Sequence, residues 1–342
     1  MKMNHRVTKQ QDLLDPNGHL SEPGYAYKEI FNYDRKMIKA SKWRIKEWDY
    51  YCAISKDYAF SFTVADLGYM ALISASLLDF STGKETKSAK MKLFPFGKLG
   101  LPKSANNGDV VFKDKSHDFV FLNRHKDRFI KVKIKNFVDG KDFHADLSFR
   151  KYDNDDRMLI ATPFKENPTR FYYNQKLNCM NVSGVVSIGD KSYDFVDDKD
   201  LGVLDWGRGV WTYKNTWYWG SLSCFVDGKR VGFNIGYGFG DTSRATENMI
   251  FYDGKAHKLD EVIFEIDGDN FMNQWKFSSN DNRLKLTMEP LLDRIDNTNL
   301  LIIKNFGHQV FGKFNGFLVL DDGKKIEIKD QIGFAEKITN HY

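Results

Sequence analysis

Bulky apolar residues alternate with small or polar residues along much of this chain. The alternation is clearest over residues 60–65 (FSFTVA), 142–149 (DFHADLSF) and 231–240 (VGFNIGYGFG). Because successive side chains of a β-strand point to opposite faces, a period of two predicts half-buried antiparallel strands. Residues 67–78 (LGYMALISASLL) carry no charge and also alternate, which favours a buried strand there. Helical periodicity is scarce, with one short helix predicted near residues 34–42.

Asp-Gly pairs separate several of the alternating segments. The five pairs are Asp139-Gly140, Asp227-Gly228, Asp253-Gly254, Asp267-Gly268 and Asp322-Gly323. A two-residue hairpin turn of type I′ needs positive φ at both central positions, which aspartate tolerates and glycine adopts freely. The pattern therefore predicts an all-β protein built from consecutive hairpins.

The strand rhythm is interrupted between residues 153 and 181, where an acidic turn, Pro163, Pro168 and mixed polar residues occur. Such a stretch is typical of a boundary between domains. We therefore expect two β-domains, an N-terminal one over residues 24–165 and a C-terminal one over residues 180–340.

A weak internal repeat involves two glycines and an acid three residues after the second glycine. Its two copies are Gly184, Gly202 and Asp205, and then Gly316, Gly333 and Glu336. The copies are either the opening and closing strands of one barrel, which would bring Asp205 close to Glu336, or a coincidence among glycine-rich hairpins.

Composition limits the classes of protein that the chain can belong to. Aromatic residues make up 15% of the 342 positions, so the rings must fill a core or line a site. The formal net charge is only +5, with acids interleaved among the basic residues. We therefore expect no nucleic-acid partner and interpret the lysine-rich residues 84–98 as a solvated loop.

Cysteine usage and the chain termini bear on the cellular location. Cys52, Cys179 and Cys224 are widely separated and odd in number, which favours a reducing compartment. No secretory signal and no apolar run of membrane-spanning length is visible. We expect a cytoplasmic protein without a membrane span, and the sequence does not indicate its oligomeric state.

Aromatic residues are densest between residues 202 and 220. Four of the seven tryptophans occur there, namely Trp206, Trp211, Trp217 and Trp219. They form either a plug in the core or the wall of a site for an apolar ligand. Asp205 lies between Leu204 and Trp206, where partial desolvation could keep its proton near neutral pH.

A few residues outside this segment are further candidates. Trp48, which lies between Glu47 and Asp49, and Tyr69 are added to the aromatic wall. Glu336 and His308 are candidate proton acceptors, although a strand histidine more often has a structural role. No HExxH motif, cysteine cluster or glycine-rich phosphate loop is present, so we expect no metal and no cofactor.

Several short segments resemble a bacterial family, domain-of-unknown-function family 2804. They are Gly24-Tyr-Ala, residues 46–51 (KEWDYY), residues 202–207, residues 308–312 (HQVFG) with Gly316, and residues 333–336 (GFAE). More distantly, residues 202–207 followed by Trp217-Tyr-Trp219 are similar to hydroxyneurosporene synthase, a carotenoid hydratase, and to AttH-like proteins. Those hydratases have a histidine shortly after the aspartate, whereas Trp206 and Gly207 follow Asp205 here.

The resemblance implies two lipocalin-like antiparallel β-barrels packed together. It also implies a pocket for a small lipid-like or isoprenoid-like molecule. If the protein is an enzyme, a protonated Asp205 would start cofactor-independent hydration or cyclisation of an alkene, and indole faces would stabilise the cation. The alternatives are a non-catalytic carrier and a carbohydrate-binding β-sandwich with exposed aromatic residues.

Overall fold

The computed structural model describes residues 4–124, 126–300 and 303–341, and strands dominate this part of the chain. The first group of strands is β1 Gln11–Asp12, β2 Gly24–Ala26, β3 Phe31–Asn32, β4 Ile45–Ile54, β5 Tyr58–Asp66, β6 Met70–Asp79, β7 Lys84–Leu93, β8 Val110–Lys113, β9 His117–Arg124, β10 Asp127–Val138, β11 Lys141–Arg150, β12 Met158–Phe164, β13 Asn167–Ile188, β14 Lys191–Phe195 and β15 Leu201–Val210. The second group is β16 Lys214–Val226, β17 Lys229–Tyr237, β18 Met249–Tyr252, β19 Lys255–Lys258, β20 Val262–Glu265, β21 Trp275–Ser279, β22 Leu284–Leu300, β23 Ile303–Val319 and β24 Lys325–His341. The predicted helix is a single 3-10 turn at Arg35–Met37.

Two strongly curled antiparallel sheets make up most of the molecule, which confirms the predicted all-β pair of barrel-like units. Strands β1 and β3 form a separate parallel pair. The first half-barrel follows the order β7-β6-β5-β4-β15-β13-β11-β10-β9-β8 among the described residues, with β2, β12 and β14 attached to the side of this path. The second follows the order β19-β18-β17-β16-β24-β23-β22-β21-β20. Each sheet is an open half-barrel rather than a closed barrel.

The boundary between the two sheets differs from the sequence expectation. The chain leaves the first sheet after Val210 and enters the second at Lys214. Residues 153–181, which were expected to link the domains, contain most of the β12–β13 hairpin instead, and Pro163 lies within β12. Strand β13 pairs with β11, β12, β14 and β15, so it is an integral part of the first half-barrel.

Three of the five Asp-Gly pairs adopt the predicted turn. Both residues have positive φ at positions 139–140, 227–228 and 253–254, where the pairs close hairpins β10–β11, β16–β17 and β18–β19. At 322–323 only the glycine has positive φ, and Asp267 instead accepts a hydrogen bond from the backbone N–H of Asp269.

The alternating aromatic residues fill the inside of each half-barrel. Phe60, Phe143 and Phe149 are fully buried in the first core, and Phe233 and Phe277 are buried in the second. Two further apolar clusters contain residues of both sheets and hold the half-barrels against each other. The interiors are filled with side chains, which does not fit the expected pocket inside a barrel.

Candidate functional site

A cavity of about 280 Å³ lies between the two half-barrels. One wall comes from the outer face of the first sheet and includes Thr63, Ala65 and Leu72 on β5 and β6. The opposite wall comes from the second sheet and includes Trp217 and Gln309. The cavity is therefore built only when both halves of the chain are folded together.

Asp205 on β15 forms a buried ion pair at this cavity. The Lys176 Nζ atom lies 2.7 Å from Asp205 Oδ2, and the Asn174 amide donates a 2.7 Å hydrogen bond to Asp205 Oδ1. Lys176 is the cross-strand partner of Asp205, so the register of β13 and β15 fixes the pair. Both carboxylate oxygens of Asp205 therefore have a donor of the protein within hydrogen-bond distance.

Glu336 on β24 has neutral hydrogen-bond partners. The Trp217 indole donates a 2.8 Å bond to Oε1, and the Gln309 amide donates a 2.9 Å bond to Oε2. Burial raises the pKa of Glu336 to about 7, with Asp205 adding to the rise, while the Trp217 bond and Lys176 oppose it. Among the expected proton-transfer residues, Glu336 is thus the acid that is poised to exchange a proton near neutral pH.

The two acids occupy equivalent places in the two half-barrels. Asp205 pairs across the strands with Lys176, and Glu336 pairs in the same way with Gln309. The repeat detected in the sequence is therefore a correspondence between the half-barrels and not between two strands of one barrel.

The repeated glycines support this correspondence. Gly184 and Gly316 have φ of +120° and +136°. At each of them an added Cβ would meet a neighbouring carbonyl oxygen at 2.2 Å.

Packing the half-barrels face to face brings Asp205 and Glu336 to the same cavity.

Glu247 is a third carboxyl group at the cavity. It follows β17 in a loop, where the side-chain amide of Asn234 donates a 3.2 Å bond to its Oε2. Burial raises the pKa of Glu247, and the positive charge of Lys176 opposes the rise. The neighbouring Asp205 also raises the pKa of Glu247, as it does that of Glu336.

Aromatic rings form the apolar part of the cavity. Trp48 packs parallel to Tyr172 and edge-on to Trp211, and Phe239 contacts Trp211 and Trp217. All five rings line the cavity.

Trp219 also lines the cavity, but one face of its indole is already occupied. Lys176 Nζ lies 3.7 Å from the ring centroid. Trp219 is therefore engaged with the protein's own cation, and Trp48, Trp211 and Trp217 are the indoles better placed to contact a ligand.

Three predicted site residues lie away from the cavity. Trp206 is 1% exposed and points into the first core, because it is next to Asp205 on a strand and so faces the opposite side. Tyr69 packs against Lys46, with Nζ 4.4 Å from the ring centroid, beside the cavity and not in its wall.

His308 is also on the far side of its strand. It is next to the cavity-facing Gln309, bonds Asp293 at 2.8 Å and stacks on Phe271. This geometry removes His308 from the proposed proton path.

Sequence reasoning missed Lys176, Gln309 and Glu247. Lys176 belongs to a polar row, Asn174, Lys176 and Asn178, at alternate positions of an otherwise largely apolar segment. This period of two could have indicated a polar strand face, but the segment was interpreted as a linker. Gln309 lies within a recognised motif, and Glu247 has no local pattern that distinguishes it.

The fold and the cavity define a class of proteins with two curled antiparallel half-barrels and a cleft between them. A putative AttH from Nitrosomonas europaea is similar, with a TM-score of 0.54 and 11% identity over 89% of this chain and 95% of that one. Kievitone hydratase from Nectria haematococca has a TM-score of 0.50 and 10% identity over 97% of this chain and 98% of that one.

Within this class, the chain belongs to the family described as Domain of unknown function (DUF2804), whose model matches residues 4–342. This confirms the resemblance found in the sequence. No curated protein matches the sequence. The structural similarities, at such low identity, establish the fold alone.

Two further properties concern the residues that the structure describes. No group of three or more His, Cys, Asp or Glu side chains there is arranged to hold a metal ion. No helix in the same part of the chain is long and apolar enough to cross a membrane.

Proposed function

We propose that the cleft between the half-barrels binds a small, largely apolar molecule. The observation that carries this proposal is an aromatic-walled cavity of about 280 Å³ that contains a buried acid. The volume is near the lower end of ligand pockets, which measure roughly 300 to 1,000 Å³. It suits a compact terpenoid or aromatic ligand, whereas a long isoprenoid would have to protrude.

We further propose acid-initiated addition of water to a carbon–carbon double bond, with Glu336 as the acid in place of Asp205. The Glu336 carboxyl group transfers its proton to one alkene carbon and leaves a cation on the other. Water adds to that cation, and the resulting oxonium ion returns a proton to the Glu336 carboxylate. The reaction is balanced without a cofactor, and the acid is regenerated.

The remaining groups have distinct parts in this scheme. The Trp217 indole, which donates to Glu336, presents its π-system beside the position where the cation develops. The Asp205–Lys176 ion pair lies in the part of the cavity wall that the other half-barrel contributes. The hydratase similarity agrees with this chemistry, but the proposal rests on the cavity and on Glu336.

A non-catalytic carrier is the second candidate, and it shares the binding step. A carbohydrate-binding surface is disfavoured, because the clustered tryptophans lie in a cleft between two sheets and not on an open face.

Binding is tested with geraniol, a small terpenoid alkene, by its effect on intrinsic tryptophan fluorescence. Wild-type protein should bind geraniol with saturation, and Thr63→Phe should lose about tenfold or more in affinity because the new ring fills the cavity. Val111→Phe, at an exposed position on β8, is the control and should bind normally. Equal affinity of all three proteins would show that the cleft is not the site.

A further inference from the structure

The edge of the first half-barrel carries an apolar surface that continues from the cavity. Leu72, in the cavity wall, pairs across the strands with Met91 on β7, and Met70 pairs with Leu93. Cross-strand partners lie on the same face of a sheet. The cavity-facing side of the sheet therefore extends to two hydrophobic residues on its outermost strand.

These residues are unusually exposed. Met91 and Leu93 are 66% and 67% accessible to solvent, and Phe94 and Trp43 are each 48% accessible. The Trp43 ring lies 5.3 Å from Phe94 and 4.8 Å from Phe96, centroid to centroid. We call Trp43, Met91, Leu93 and Phe94 the apolar rim. Exposed hydrophobic residues of this size, grouped together, mark interaction sites more often than single exposed residues do.

The backbone at the rim is strained. Phe94 and Phe96 have φ of 55° and 50°, a region that bulky side chains rarely adopt. Exposure of Phe94 offers little burial energy in return, so local packing alone does not account for its conformation.

Positive charge lies beside the apolar rim. Residues 84–98 include five lysines and one acid, Glu85. Two of these lysines have acidic partners, Lys90 with Asp114 at 3.0 Å and Lys87 with Asp296 at 4.0 Å. Glu85 bonds the Arg294 guanidinium at 2.7 Å on the cavity-facing side of β7, so its charge is already matched.

Lys42 and Lys98 are exposed beside the rim, and Lys42 Nζ lies 4.5 Å from the Phe96 ring centroid. Lys92, between Met91 and Leu93 on β7, points to the opposite face of the sheet. An anionic surface is the complementary partner.

We propose that the apolar rim and its lysines dock this protein onto the surface of an anionic lipid bilayer. The rim has an apolar centre of Trp, Phe, Leu and Met with lysines beside it. This arrangement matches the surface of an anionic bilayer, which is apolar below the headgroups and negatively charged at the headgroups. Continuity with the cavity wall would also place the cleft next to a reservoir of apolar molecules. Docking itself does not depend on any reaction in the cleft.

The main competing occupant is a second copy of the chain paired along β7, an edge strand. Lysines on an edge strand disfavour such pairing, because they would be brought together or desolvated. This competing arrangement is one of the outcomes that the experiment separates.

Docking is tested by flotation with vesicles of phosphatidylcholine alone and of phosphatidylcholine mixed with phosphatidylglycerol. Wild-type protein should bind the mixed vesicles, and the binding should weaken with salt. Lys42→Ala and Lys98→Ala should each weaken it by about fivefold. Leu93→Glu should weaken it by about tenfold or more. Ile263→Glu, at a similarly exposed position on β20, is the matched control and should bind like wild type.

Several outcomes would overturn the proposal. Absence of wild-type binding to either vesicle would do so, and so would an equal loss in Leu93→Glu and Ile263→Glu. A dimer in solution that Leu93→Glu dissociates, without vesicle binding, would assign the rim to self-association. Glu336→Gln should float like wild type, so a failure of docking is distinguishable from a failure of the proposed chemistry. Quenching of fluorescence by brominated lipid should fall in Trp43→Phe, which locates the contact.

Discussion

At the scale of single residues, the two acids of the cleft differ because their partners differ. Asp205 is paired with a cation, whereas Glu336 accepts hydrogen bonds from a neutral amide and an indole. The candidate acid is consequently Glu336 and not Asp205, which the sequence had favoured for its apolar neighbours. Pairs of carboxyl groups in unlike environments are a recurrent way to obtain one acid and one fixed charge.

The raised pKa of Glu336 predicts a specific pH dependence of stability. The pKa changes from an ordinary 4.5 to about 7 on folding, so the folded state holds this proton more tightly than the unfolded chain. The stabilisation that this raised pKa gives to the folded state is complete below pH 4.5 and is lost as the pH rises to about 7. The loss lowers the free energy of unfolding by about 3 kcal/mol.

Urea unfolding of Glu336→Gln across this pH range measures the effect. The variant should gain stability relative to wild type between pH 4.5 and about 7, with no further gain above that. Glu327→Gln, at an exposed position of the same strand, should show a constant difference. A constant difference for Glu336→Gln as well would mean that its pKa is unperturbed by burial.

At the scale of elements, β15 positions the site through its alternation of side chains. Asp205, Gly207 and Gly209 occupy alternate positions, and Trp48 is the cross-strand partner of Gly207. A Cβ at Gly207 would lie 1.9 Å from Trp48 Cζ2, so the glycine makes room for the indole.

Gly207→Ala should therefore destabilise the protein by about 1–3 kcal/mol through overpacking. It should also weaken geraniol binding, because Trp48 is pushed out of the cavity wall. Gly268→Ala is the control, since an added Cβ there meets nothing within 4 Å. Equal stability of the two variants in urea unfolding would contradict this account of the Trp48 contact.

The strands and several turns were predictable from the sequence, because each leaves a local signature. Alternation at 142–149 and the Asp139-Gly140 turn specify a hairpin without knowledge of the rest of the chain. The glycine and acid repeat singled out Asp205 and Glu336, but neither of its two interpretations, one barrel or coincidence, was a correspondence between two half-barrels. The role of β13 was not predictable in this way, since its polar residues are satisfied by partners on other strands. The buried Lys176 ammonium group is stabilised by the Asp205 carboxylate on the neighbouring strand and by the Trp219 ring of the other half-barrel.

At the scale of the whole molecule, the cleft lies between two similar half-barrels and inside neither of them. Strands β13 and β15 of one half correspond to β23 and β24 of the other, so each half supplies one acid. The local sequence cannot show which faces of the two halves will meet, and the ligand site was therefore expected inside a barrel. The interiors are instead used for stability, and the outer faces carry the polar and aromatic groups of the cleft.

Native mass spectrometry of proteins purified from their own host tests the central claim most directly. Wild-type protein should retain a small molecule. Glu336→Gln should retain one that is lighter by one water, because the variant binds the alkene but cannot protonate it. Thr63→Phe should retain neither. A ligand of identical mass in wild type and Glu336→Gln would contradict hydration, and a ligand retained by Thr63→Phe would contradict the cleft as its site.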